Sequence, residues 1–154
     1  MTPSSSAPLR AASHGRWTSA IAALAIAGVL VSAISLYQHF STTKTSFCDI
    51  GDSFNCDLVN RSAYSTVFGV PVALIALFGY LLLFSLATIY REKAETPLLL
   101  AIASLLGMSL ASYLTYIEAR VLRVWCILCL SSLALILAIA IVSAVMATKS
   151  SRSS

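Results

Sequence analysis

The chain carries four cysteines: Cys48, Cys56, Cys126 and Cys129. Cys126 and Cys129 form a C-x-x-C pair inside "VWCILCLSSL" (residues 124–133), where a long apolar run begins. Cys48 and Cys56 lie in a polar stretch rich in Ser, Thr, Asn and Asp. A thiolate attacks a disulfide in line and forms a mixed disulfide, which the neighbouring thiol then resolves. Two pairs that can meet therefore make a relay. Four thiolates can also close a structural zinc site, although the usual spacing is C-x₂₋₄-C and seven residues separate Cys48 from Cys56. Two structural disulfides are a third use, although a C-x-x-C bridge closes too short a loop to add much chain-entropy stabilisation. Reversible thiol–disulfide exchange fits the pattern best.

The elements that must position these thiols follow from composition. Of 154 residues, 58% are hydrophobic and only 10% charged, against about half and a quarter in soluble domains. The charges leave four long gaps, at residues 17–37, 64–90, 96–117 and 124–147. Each is long enough for the roughly 20 residues with which a helix crosses hydrocarbon. Backbone groups in lipid must be bonded internally, so these runs predict helices; alternating barrel patterning is absent. The predicted fold is an all-α integral membrane protein. Four transmembrane helices (17–37, 64–90, 96–117 and 124–147) form a bundle in residues 17–147, capped by an outer loop over 38–63. Residues 1–16 are expected to be a disordered cytoplasmic tail and 148–154 a second one. The first apolar run exceeds the 7–15 residues of a leader's apolar core, which favours an anchor over a cleaved signal.

The net charge of +4 is scattered, and no nucleic-acid partner is expected. Arg10, Arg16, Arg91, Lys93, Lys149 and Arg152 fall on one side of a four-helix path, and Lys44, Arg61, Arg120 and Arg123 on the other. The positive-inside bias then puts both termini and the "REKAE" turn in the cytoplasm. Asp49, Asp52, Asp57 and Glu118 fall on the outer side, as do all four cysteines. Disulfides persist there. The protein is expected in the cell inner or plasma membrane as a multi-pass chain.

Small residues at helical spacing (Ala22, Ala25, Gly28 and Ser32; Ser104, Gly107 and Ala111) predict close helix packing. Tyr37, Tyr113, Tyr116 and Trp125 sit where interfacial anchors belong. Arg120 and Arg123 flank the C-x-x-C entrance and read as anchors too, although a nearby cation can lower a thiol pKa. Asp49 and Asp57, each beside a loop cysteine, would disfavour a thiolate. Cys129 lies one turn deeper than Cys126 and can pass two electrons to a lipid-soluble acceptor, for which a quinone is the obvious candidate. No metal, haem or flavin is expected: neither His14 nor His39 falls within a predicted membrane segment, and no G-x-G-x-x-G occurs.

Four helices, two loop cysteines, "CILC" opening the last helix and "CDLVNRSAYSTVFGVP" (residues 56–71) resemble the vitamin K epoxide reductase family in its bacterial members, over about Trp17 to Ala147. The resemblance implies a quinone-dependent enzyme that supports disulfide formation, with menaquinone or ubiquinone as acceptor. It implies that Cys56 takes electrons from a reduced thioredoxin-fold partner and that Cys48 shuttles them to Cys126. Cys129 would then meet the quinone, with Ser62 hydrogen-bonding nearby and the bundle enclosing the ring. The animal enzymes carry Asn where Ser65 begins "STVFG", and Tyr where this chain has Leu133. Both differences argue against epoxide reduction as the task here. Many bacterial relatives carry a fused thioredoxin-like domain; this one is expected to use a separate DsbA-like protein. The DsbB type of quinone-linked oxidase is similar in helix number, but its C-x-x-C lies in the first outer loop. The rival reading is a non-enzymatic membrane scaffold or metal-binding protein that uses the cysteines structurally.

Overall fold

A computed structural model describes residues 7–42, 49–51, 53–90, 93 and 95–151, so Cys48 lies outside the described residues. The chain is mostly helical. Helix α1 spans Ala7–Phe40 and begins inside the expected N-terminal tail. Ala7, Leu9, Arg10, Ala11 and Ala12 favour helix, and Pro8 is tolerated in a first turn. At its other end α1 runs past Tyr37, which brings His39 into its last turn.

The run expected as a helix over 64–90 becomes helical only at α3, Val72–Thr88. Before it come a 3₁₀ turn at Ala63–Ser65 and a hairpin of β3 (Thr66–Val67) with β4 (Val70–Pro71). Phe68 and Gly69 form the two-residue loop with φ of 52° and 80°. Two positive φ values match the twist of a tight hairpin. Pro71 has no N–H to give a helix and holds Val70 extended, so α3 starts immediately after it. Its 17 residues lie at the short end of the spanning range. Among the described residues, three other segments are long and apolar enough to cross a membrane: Gly15–Phe40, Thr96–Leu122 and Ile127–Lys149.

Helix α4 spans Thr96–Ile117 and passes into a π-helical turn, Glu118–Leu122. Arg123 then adopts a left-handed conformation (φ 53°) and turns the chain back. Helix α5, Ile127–Ser151, opens after Cys126 and not before it, so only Cys129 of the pair is helical.

Helix α1 packs on α3 and α5, and α5 packs on α4; α3 and α4 meet less extensively. Glycine makes two of these approaches possible. A Cβ on Gly28 would lie 2.3 Å from the Tyr80 ring, and one on Gly107 would lie 3.2 Å from Ile136. Ile21, Ala25, Leu83, Leu100, Ile136 and Ile139 form the centre of the bundle. Its outside is also apolar, with Ile26, Leu30, Phe78, Leu82, Leu106 and Ile141 exposed. Helices that are hydrophobic all round suit a lipid surround. The Lys149 ammonium lies 5.3 Å from the Trp17 ring centre, which ties the end of α5 to the start of α1. The cysteines occupy the opposite end.

Candidate functional site

At that end the chain builds a small cap from short elements. Strand β1 (Asp49–Ile50) pairs antiparallel with β2 (Phe54–Asn55) around Gly51, whose φ is +70°. Phe54 then bridges to Trp125 in parallel. The Asn55 N–H donates to the Trp125 carbonyl (3.1 Å), and the Trp125 N–H donates to the Ser53 carbonyl (2.9 Å). Helix α2, Cys56–Asn60, comes directly after β2, capped by the Asn55 side chain, which accepts from the Leu58 N–H at 2.8 Å. The loop is thus stitched to the segment just before the C-x-x-C pair.

This stitching places Cys56 and Cys126 in one buried cluster with Val59 and Leu128, and Cys129 packs against its edge. Cys56 and Cys126 are both 0% exposed. Cys56 is held in a disulfide, whereas Cys126 and Cys129 are free thiols. In this state Cys56 offers no surface to a soluble protein. That differs from the role the resemblance implies for it, as the loop cysteine that meets the partner. The reason is the Phe54–Trp125 pairing, a long-range contact that draws β2 and the start of α2 onto the bundle.

Three contacts clamp α2 to the end of α1. The His39 Nδ1–H donates to the Asn60 carbonyl at 2.5 Å, and the Asn60 amide donates to Gln38 Oε1 at 2.9 Å. The Arg61 guanidinium donates to the Ser41 carbonyl. A carbonyl only accepts, so the His39 Nδ1 carries a proton in this contact.

Below the cap lies a cavity of about 380 Å³, lined largely by α3 and α4. Most of its wall is apolar. Its polar groups include Cys129, Glu118, Ser62, His39, Tyr80 and Ser132. A mostly apolar cavity of this size with a few convergent polar groups is typical of small-molecule sites. The Ser62 hydroxyl donates to the Val59 carbonyl (2.8 Å), so in this rotamer it presents lone pairs to the cavity. The Tyr80 hydroxyl donates to the Ser132 carbonyl at 2.9 Å and bridges α3 to α5.

Glu118 is the residue that sequence reasoning misses. Its position in the chain marks it only as an acid on the outer side, yet it is 1% exposed. Its Oε2 accepts from the Cys126 N–H at 3.0 Å. The Cys129 thiol also interacts with its carboxyl, while Oε1 makes no well-formed hydrogen bond. The π-helical turn and left-handed Arg123 fold the chain so that residue 118 faces residues 126 and 129. Its signal in the sequence is a lone carboxyl at the end of an apolar run, eight residues before Cys126. An ionisable group in such a place marks a functional candidate. His39, outside the membrane segments expected from the sequence, is a second such case.

Cys126 precedes α5, and its thiol pKa is lowered. The cause is its hydrogen bond with the Cys129 thiol, which outweighs burial and the nearby Glu118, both of which raise it. Arg120 and Arg123 have exposed side chains and make no contribution to that lowering. The arrangement sets a thiol of lowered pKa against a buried disulfide cysteine, with a second thiol at the wall of an apolar cavity. Compared with known families, residues 19–144 match the model of the vitamin K epoxide reductase family.

Proposed function

The chain belongs to the vitamin K epoxide reductase family, a family of redox enzymes, and from that premise we propose that it is a quinone-linked thiol oxidoreductase that supports disulfide formation. Its electron donor is a separate extracytoplasmic thioredoxin-fold, DsbA-like protein, and its acceptor is a membrane quinone, menaquinone or ubiquinone. Helix α3 is the fourth span of a membrane domain over residues 17–147. Both termini face the cytoplasm and the cysteine end faces outward.

The observation that carries this reading is continuity. Cys56 and Cys126 share one buried cluster, and Cys129 lines both that cluster and the cavity. We assign the disulfide at Cys56 to the loop pair Cys48–Cys56, and the partner's thiolate opens it at Cys48. The freed Cys56 attacks Cys126 when Cys126 and Cys129 are themselves a disulfide, and Cys129 leaves as thiol. The partner's second thiol frees Cys48 and leaves as the partner's own disulfide; Cys48 then attacks Cys56 and expels Cys126. A thiol of lowered pKa leaves faster, which suits Cys126 to that step. The state with Cys56 in a disulfide and Cys126 and Cys129 free is the product of this inward transfer. A quinone bound in the cavity supplies an acceptor for two electrons and two protons. The apolar walls fit its ring, Cys129 faces it, and Ser62 accepts a hydrogen bond from a reduced ring oxygen.

The test is quinone reduction by purified, chemically reduced protein in detergent. The wild type should reduce a soluble quinone analogue, and Cys129→Ala should fall to background. Reduction by Cys129→Ala at the wild-type rate would overturn the assignment.

A further inference from the structure

Oxidation of Cys126 and Cys129 to a disulfide breaks two S–H bonds and forms one S–S bond. Two electrons and two protons leave, and with the proposed acceptor all four end on the quinone. The electrons have a short path from Cys129 into the cavity. The protons need a carrier, because the thiols have little access to bulk water: Cys126 is 0% exposed, and Cys129 is partly buried at the wall of a mostly apolar cavity.

Glu118 is the sole acidic residue lining that cavity among the described residues. It is 1% exposed, it holds the Cys126 N–H on one oxygen, and its carboxyl interacts with the Cys129 thiol. The nearest cations in the chain, Arg120 on its own turn and Arg123 just after it, are exposed and do not offset its charge. A buried carboxylate without a cation is costly, and sharing a proton with the facing thiol relieves that cost. The other titratable groups around it are differently engaged. From α1, His39 Nδ1 is engaged with the Asn60 carbonyl; from α3, the Tyr80 hydroxyl donates to the Ser132 carbonyl. Tyr64 lies on the 3₁₀ turn at the cavity and is exposed, and Asp57 on α2 is buried away from the cavity lining.

We propose that Glu118 is the proton carrier of the Cys126–Cys129 dithiol: its carboxyl accepts the proton that Cys129 sheds as its electrons depart and releases that proton into the cavity, to an oxygen of the acceptor. The second proton comes from Cys126 as the S–S bond closes and takes the same route through the carboxyl after it has been emptied. The π-helical turn at Glu118–Leu122 serves this role. Such turns often mark functional sites, and this one aims a helix-end carboxylate at the Cys129 thiol and the Cys126 N–H. The inference rests on the proposed function for its acceptor.

Glu118→Gln tests it, because the amide keeps the shape and an oxygen for the Cys126 N–H but cannot store a proton. In single turnovers from reduced full-length protein to a soluble quinone analogue, the rate should fall about 100-fold near neutral pH, the usual scale of a lost proton-transfer group. The deficit should shrink as pH rises and hydroxide takes over deprotonation. Glu118→Asp should recover part of the rate. A readout without quinone is the infrared spectrum followed in time while a small soluble oxidant converts the dithiol to the disulfide, so that the carboxyl is seen filling and emptying. A carboxyl C=O change should appear in the wild type and vanish in Glu118→Gln, an assignment that only six carboxylic side chains make tractable. Where Glu118→Gln fails to fold, Glu118→Asp must still show the C=O change and an altered pH profile. A wild-type rate in Glu118→Gln, a deficit equal at every pH, or a C=O change that survives the substitution overturns the proposal. A wild type that reduces no quinone at any pH overturns the functional reading instead.

Discussion

The molecule holds two buried apolar clusters of different kinds. The larger runs through the middle of the bundle, from Ile21 and Ala25 across Leu83 and Leu100 to Ile139 and Met146. The smaller sits under the cap and consists of Cys56, Val59, Cys126 and Leu128. The larger is held by shape: a glycine meets an aromatic ring, and small residues admit their neighbours. The smaller is held by hydrogen bonds, from the Trp125 pairing through the His39–Asn60–Gln38 clamp to Glu118. The difference teaches where change is tolerated. Packing is the main bond of the bundle, with the Tyr80–Ser132 hydrogen bond across α3 and α5, whereas the cap must hold two sulfur centres together and still let them exchange.

The largest expected effect breaks the shape-held cluster. Gly28→Val would drive its side chain into the Tyr80 ring, since even a Cβ would lie 2.3 Å away. Overpacking of this kind costs about 1–3 kcal/mol. Thermal unfolding in detergent should show the loss and a shared fall in all activity. Gly79→Ala is the control, because nothing lies within 4 Å of a Cβ there. Replacing a helical glycine by alanine should leave stability unchanged or raise it by about 0.5–1 kcal/mol. Equal melting temperatures for the two variants would mean that the Gly28–Tyr80 approach does not secure the bundle.

A smaller effect sharpens the hydrogen-bonded cluster. The lowered Cys126 pKa means that its thiolate persists to lower pH than an ordinary thiol's. The bond from the Cys129 thiol therefore stabilises the reduced fold above the ordinary thiol pKa. That contribution is lost as pH falls through the lowered value. Ultraviolet thiolate titration with Cys48 and Cys56 both replaced by Ala should give a first midpoint below the ordinary thiol value. Cys129→Ala in that background should move the Cys126 midpoint upward. An unmoved midpoint would remove the Cys129 thiol as the cause.

The two clusters are also unequally legible in the sequence. Gaps between charges locate α1, α4 and α5, because length and hydropathy decide whether a segment suits lipid. The same measure places the second helix too early. Residues 64–71 lie in the same uncharged run as α3, and only local chemistry at Phe68, Gly69 and Pro71 makes them a hairpin. Gly28 and Gly107 are legible as small residues at helical spacing. The cap is legible as a meeting place of cysteines but not in its geometry. Burial of Cys56 depends on Phe54 pairing with Trp125, far along the chain. Glu118 stands two residues from Arg120 and reads as an interfacial acid until the π-helical turn rotates it inward.

The central claim is that Cys56 exchanges directly with Cys126, and one trap tests it. In a Cys129→Ala protein, the Cys126 thiolate attacks the loop disulfide at Cys56, and no Cys129 thiol can resolve the bond from the Cys126 side. Cys48 can only return it to the loop disulfide, so the mixed disulfide persists in equilibrium. The mixed disulfide formed should then accumulate in membranes quenched with acid. Mass spectrometry of a non-reduced digest should find the Cys56 peptide bonded to the Cys126 peptide, with Cys48 as a free thiol. A Cys48–Cys126 bond, or no bond to Cys126 at all, would contradict the account.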